Sequence, residues 1–378
     1  MNPKEHPNQP HTHHHHDDKS ALDNLKISKI FLPTIIGVAV VIWMMSSQLD
    51  IKELAKLDMS SHTLFWLTMA IVMYIARHLF YAWRLRIMSD NAFSWPKAIE
   101  LIVIWEFSSA VSPTSVGGAG VAFFLLAQEK LSGAKTISVV LYSMVIDTIF
   151  FVLYLPLLYF VLGPVMIRPG MELFSDIDGY GITFLTVLLF MTAYGTLFFY
   201  GLFINPRSIK RLLIIISRIS IFKRFREDLR STAYDVVTTS KDIKQKPWSF
   251  HAWSFGVTCG AWGTRFFAIN CLILAMVSGI NPSFYDHLII LARGMAMHTI
   301  TAFSPTPGAA GIAEFLFGGF FSDYIPAGIA ILIALVWRII TYYTYLLAGA
   351  IIIPIWFRQV RYRKKLEKSE SEPQSLKD

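Results

Sequence analysis

Residues Phe303 to Gly319 read FSPTPGAAGIAEFLFGG, a Pro/Gly-rich break set in apolar sequence and followed by one acidic residue, Glu314. The stretch has a counterpart. Laying Ser115 to Ala127, SVGGAGVAFFLLA, over Thr306 to Gly318, TPGAAGIAEFLFG, matches Gly117 with Gly308 and Gly120 with Gly311. The same offset sets Asp147 opposite Arg338, each inside a long apolar run, VIDTIFFVLYL and LVWRIITYYTYLL. Two matches at one offset point to an internal duplication.

The background of these breaks fixes the solvent. Of 378 residues 54% are hydrophobic and only 16% charged, and several runs approach the roughly 20 apolar residues that a membrane helix needs. Ile30 to Met45, Phe184 to Phe203 and Ala327 to Pro354 are apolar all round, whereas strands of a membrane barrel alternate over about ten residues. The expected class is an all-α polytopic membrane protein. In such a chain the net charge of +8 is read as topology and contact with anionic headgroups, with no nucleic-acid partner. Cys259 and Cys271, twelve apart on one helix, are packing residues and not a disulfide or metal pair.

Residues 1–25 form a polar tail that lacks the apolar core of a signal peptide. The run His13 to His16 has no scaffold to fix a metal geometry, and no cofactor is expected. Full spans are expected at about Ile30–Ser47, Leu64–Trp83, Ile137–Leu162, Ile182–Ile204, His251–Val277 and Ala327–Trp356. Two pairs of short segments interrupt them: residues 98–128, hinged at Ser112-Pro113-Thr114, and residues 288–321, hinged at Ser304 to Pro307. Residues 26–204 thus form an N-terminal membrane half and residues 251–357 a C-terminal repeat. Residues 205–250 hold eleven Lys or Arg against four Asp or Glu and mix apolar and basic residues at helical spacing, suiting an interfacial helix on anionic lipid. Residues 358–378 form a basic tail.

Basic loops are retained on the cytoplasmic side. That rule places both termini, residues 84–97, 128–136 and 205–250 inside, and leaves the other loops with three basic against eight acidic residues. The first short pair then enters and leaves from the cytoplasmic side and the second from the outer side. The repeats are inverted. Topology alone does not separate re-entrant hairpins from pairs of short spans; segment length and polar tips favour re-entry.

Broken helices in inverted repeats are a common way to build a site near the bilayer midplane. Thr306 is expected to cap a helix with Pro307 in its first turn, and Thr114 or Ser115 to do so in the first repeat. Each tip, with Gly117, Gly118 and Gly120 or Gly308 and Gly311, would present backbone N–H groups to an anion such as a phosphodiester; the alternative is that the glycines only let helices pack closely. Ionisable residues inside the spans are suspects by default: Arg77, Glu106, Asp147, Arg265, Arg293, His298, Glu314 and Arg338. Glu314 is expected to pair with Arg338 or Arg293 and to release it to substrate phosphate, or else to form a permanent structural pair. Arg77 and Arg265 are read as snorkelling, and His298 as a polar contact. Asp147 stands alone among the spans, so the paired aspartates of an intramembrane aspartyl protease are missing.

With SPTPGAAGIAEFLFGGFF followed by IALVWRIITYYTYLLAG, the chain resembles the membrane domain of lysylphosphatidylglycerol synthases and related stand-alone flippase-like proteins. In that family a Pro-Gly-Gly-x-Gly-x-x-Glu pattern precedes a helix bearing Arg and a later Gly. Pro307, Gly308, Gly311, Glu314, Arg338 and Gly349 fit it; Ala309 replaces the second glycine, and Gly120-Val121-Ala122-Phe123 lacks the charges frequent in the first motif. The resemblance, over roughly residues 25–357, implies a bacterial inner-membrane protein that moves lipid between leaflets. No synthase domain follows the last span, so this chain is not expected to be an enzyme. The leading expectation is a flippase for a phospholipid or related anionic amphiphile, with membrane lipids as partners and self-association into a homo-oligomer left open. The alternatives are a non-transporting assembly or regulatory protein and an intramembrane enzyme, for which Ser112 and Ser304 lack an evident histidine base.

Overall fold

The structure, a computed structural model, describes residues 60–112, 117–216, 237–277, 279–302, 304 and 306–371. The expected span Ile30–Ser47, the His13–His16 run, Thr114, Ser115 and residues 217–236 lie outside the described residues. The described chain is helical, with no strand.

Local sequence sets the helix ends. Helix α1 (Ser61–Met88) begins where the Ser60 hydroxyl accepts the Thr63 N–H, and stops before Asp90 and Asn91, both with left-handed backbone. Helices α2 (Trp95–Val111) and α3 (Gly117–Gln128) flank the first break, and α2 carries Pro96 in its first turn, where the missing N–H costs nothing. Ser132 caps α4 (Gly133–Leu162) and Asp178 caps α5 (Gly179–Phe199), which ends in a π-helical turn, Tyr200–Ile204. A short amphipathic helix, α6 (Pro206–Ile216), follows. Beyond α7 (Trp248–Met276), Ser283 and Asp286 cap α8 (Phe284–Thr301) reciprocally. The second break leads to α9 (Ile312–Phe320), α10 (Ala327–Arg338), a π-helical turn Ile339–Tyr343, and α11 (Thr344–Ser371).

Among the described residues five stretches are long and apolar enough to cross a membrane: α1, α4, α5 with its π turn, α7, and Ala327–Leu366. They match the second to sixth expected spans. Helices α3 and α9 have 12 and 9 residues, so at about 1.5 Å per residue they reach roughly 18 and 14 Å, about half of a 30 Å hydrocarbon core. A pair with one limb this short turns back to the side it came from.

Large apolar side chains face outward along the spans, among them Ile71, Ile75, Leu153, Leu157, Phe160, Leu189, Phe190, Leu347 and Ile351. Water would not tolerate so broad a band, whereas lipid tails do. Inside, the buried residues form two main masses. One surrounds the second hairpin and includes Phe317, Phe320, Phe321, Ile333 and Trp337; the other surrounds the first and includes Leu101, Leu125, Leu126, Tyr142 and Trp356. Helices α1 and α7, equivalent members of the two repeats, pack most extensively on one another, and the two masses meet around them.

Candidate functional site

A cavity of about 310 Å³ lies where the two masses meet, with walls from α1, α2, α4, α5, α7, α8, α10, the second tip and the last π turn. Its charged lining comprises Arg77, Arg84, Arg265 and Arg338 against Glu106 and Asp147. Arg265 and Arg338 each sit eleven residues, roughly 16 Å of helix, from the end of α7 and the start of α10, so these groups lie at membrane depth. There, an ion needs a counter-ion.

Three of the four arginines have one. Arg77, 2% exposed, donates from Nη2 to Glu106 Oε2 at 2.7 Å and from Nη1 to the Tyr345 hydroxyl at 3.0 Å. Arg84 Nη1 meets Asp147 Oδ1 at 2.5 Å, and the Trp262 indole N–H donates to the same oxygen at 2.8 Å. Arg338 donates from Nε to Glu314 Oε1 at 2.9 Å and from Nη2 to the Gly308 carbonyl at 2.9 Å, its guanidinium 3.9 Å from the Tyr342 ring centre. Arg265 differs. It lines the cavity with its guanidinium 5.3 Å from the Trp262 ring centre and has no carboxylate in ion-pair range among the described residues.

The second tip departs from the expected geometry. Helix α9 starts at Ile312 with Gly311 as its N-cap, so Thr306 is not the cap and Pro307 is not in the first turn. Residues 306–311 instead form tight turns in which Gly308, Ala309 and Gly311 all have left-handed backbone. The N–H groups of Ala309 and Ala310 bond to the carbonyls of Thr306 and Pro307, that of Thr306 to Ser304 Oγ, and that of Gly311 to Glu314 Oε2 at 2.8 Å. Buried donors are satisfied within the chain, so these four are not offered to an anion. Glu314 links the motif: one oxygen caps α9 and the other holds Arg338.

Of the expected site residues, Thr306, Gly308, Arg338 and Asp147 line the cavity; Pro307, Gly311 and Glu314 do not, although Glu314 holds Arg338. Gly118 packs against Ser109 between the limbs of the first hairpin and Gly120 is exposed with open space around it; neither lines the cavity, and Gly117 begins α3. Thr114 and Ser115 lie outside the described residues. Arg293 is not the partner of Glu314: it donates to Asp323 at 2.5 Å and to the carbonyls of Val165 and Phe320, joining the base of the second hairpin to the loop after α4. The first hairpin is clamped likewise, Lys97 to Glu129 at 2.8 Å, with Arg363 of α11 on the same carboxylate.

Three expectations are corrected. Arg84, expected in the basic connection after Trp83, belongs to α1, which runs on to Met88, and it pairs with Asp147. Arg77, Tyr81, Arg84, Leu85 and Met88, spaced by one and two helical turns, form a buried face, a signal present in the sequence. Arg77 does not snorkel, being buried against Glu106, and Arg265 faces the cavity. His298 lies among the rings of Phe151, Trp262 and Phe266.

Comparison with known proteins gives two findings. The family model described as the lysylphosphatidylglycerol synthase TM region matches residues 30–349. A protein of Archaeoglobus fulgidus described as a UPF0104 membrane protein is 23% identical over 297 residues, 75% of this chain and 84% of that protein. No solved structure matches.

Proposed function

Because the chain belongs to the lysylphosphatidylglycerol synthase TM-region family, we propose that it is a non-enzymatic flippase, moving a phospholipid or related anionic amphiphile between leaflets. The observation that carries this reading is Arg265, a cation without a carboxylate partner among the described residues, facing a cavity at membrane depth. Its charge favours a bound anion, and acyl chains can stay in lipid while the headgroup occupies the polar wall.

Movement follows from where the ties are. Arg293–Asp323 closes the base of one hairpin and Lys97–Glu129–Arg363 the base of the other. Rocking of the two core masses about α1 and α7 would open one base while the other holds, exposing the cavity to each face in turn. Arg338 shares itself between Glu314 and the substrate as the headgroup arrives, so Glu314 sets how firmly the phosphate is held. The basic loops face the cytoplasm in this scheme.

Leaflet exchange of fluorescent phospholipids in proteoliposomes tests the reading. Wild type should exchange lipid faster than protein-free vesicles, and Arg265→Gln or Glu314→Gln should slow the protein-dependent part at least about tenfold, the loss of roughly one charge-assisted contact. Exchange no faster than in protein-free vesicles, for every headgroup tried, would move the weight to a non-transporting assembly protein.

A further inference from the structure

The charges and ring faces around the cavity also say which headgroup it takes, an inference that rests on the lipid-moving reading. Arg77 is neutralised by Glu106, Arg84 by Asp147 and Arg338 by Glu314. His298, wrapped by aromatic rings, is counted as neutral. Among the described residues of the lining, one positive charge, that of Arg265, is left over. A guest carrying one negative charge balances the site; a dianion overshoots it, and a zwitterion brings a cation that must find its own acceptor.

The arginines already hold the acceptors beside them. An ammonium group is held by a carboxylate or by the face of an aromatic ring. Both cavity-lining carboxylates are engaged by arginine at 2.5 to 2.7 Å. Some ring faces are taken as well: Arg77 lies over Tyr81 and Tyr345, Arg265 over Trp262, and Arg338 over Tyr342, whereas Trp105, Phe151, Tyr194 and Phe266 line the cavity with no cation over them among the described residues. We infer that the cavity selects a headgroup with a single net negative charge, a phosphodiester such as that of phosphatidylglycerol, over zwitterionic and cationic headgroups.

Binding is tested apart from transport. The full chain in non-ionic detergent is titrated calorimetrically with short-chain phosphatidylglycerol, lysyl-phosphatidylglycerol, phosphatidylcholine, phosphatidic acid, and glycerol 3-phosphate as the soluble source of the same chemistry. Phosphatidylglycerol should bind at least tenfold more tightly than each of the others. Arg265→Gln should erase that margin, and Arg265→Lys, which keeps the charge, should restore most of it. Equal or tighter binding of lysyl-phosphatidylglycerol or phosphatidylcholine, or a margin untouched by Arg265→Gln in a protein with the wild-type unfolding midpoint, overturns the inference. Tight binding of glycerol 3-phosphate would assign the site to a soluble anion and overturn the lipid source. A chain that selects phosphatidylglycerol without exchanging it loses only the transport reading; one that exchanges all headgroups alike loses only this inference.

Discussion

At the scale of single residues, the second tip contains an internal test. Ala309 holds a left-handed backbone at φ 56°, a conformation that costs a residue with a Cβ about 1–2 kcal/mol. The resembled family pattern has glycine there. Ala309→Gly is expected to leave stability unchanged or raise it by up to about 1 kcal/mol, relief of strain outweighing the added freedom of the unfolded chain. Gly308→Ala should do the reverse: its φ is 55° and a Cβ would lie 2.1 Å from Tyr342 Cε2, displacing the ring that supports Arg338. Thermal unfolding in detergent checks both, and a lower midpoint for Ala309→Gly would contradict the strain. The pairing of Glu314 with an arginine was legible in the sequence, because a carboxylate in apolar surroundings needs a cation. Which arginine was not legible, since Arg293 and Arg338 are separated only by the packing of α8 against α9 and α10. The capping was misread because Thr306-Pro307 is a good helix start locally, and left-handed backbone at Gly308, Ala309 and Gly311 leaves no local signature except the glycines.

At the scale of elements, the ties at the hairpin bases carry the consequences. Arg293 is wholly buried while Asp323 is half open to solvent. Asp323→Asn would strand the guanidinium on two carbonyls and should cost about 1–3 kcal/mol, the lower range for an uncompensated buried charge; an unchanged unfolding midpoint would show the tie to be idle. On the basic side, Asp90 receives Lys135 from the start of α4 and Lys246 from the segment before α7. Partial burial would raise its carboxyl, but the hydrogen bonds from the two lysines outweigh burial and hold it below the usual carboxylate range. A lowered folded value means that this tie is fully present above the ordinary carboxylate value of about 3.9 and is lost as pH falls below it. Acid titration of the unfolding midpoint should therefore show a downward step below about pH 4 that Asp90→Asn lacks. Spans and hairpins were legible because apolar length and Pro/Gly breaks are local properties. The extension of α1 to Met88 was signalled by the helical spacing of Arg77, Tyr81, Arg84 and Met88 but was missed, because Arg84 and Arg86 look alike as loop cations although Arg84 is buried on Asp147 and Arg86 reaches the Phe93 carbonyl.

At the scale of the whole molecule, the inverted arrangement makes a statement about sidedness. Cysteines placed at Glu172 and Ser322 should react with a membrane-impermeant thiol reagent in intact cells, and cysteines at Ser132 and Arg361 only after permeabilisation. Labelling of both sets from one side would remove the inversion. The duplication itself was visible as one shared offset, yet the cavity between the repeats was not, because its wall is assembled from residues scattered from Arg77 to Tyr345. The turn at Ile339–Tyr343 adds a final point. There the Thr344 N–H reaches back five residues to the Ile339 carbonyl, so the helix holds one residue more than an α-helical turn would, and everything beyond is rotated by about 100°. That extra residue sets the phase that turns Tyr345 toward Arg77 and seats Gly349 against Phe107. The cavity is thus keyed by a count of residues as well as by their identities: straightening the turn to α-helix at full length would leave every named side chain in the chain and turn the last helix's lining away from the site, and deleting Ile340 as well would bring that lining back into phase.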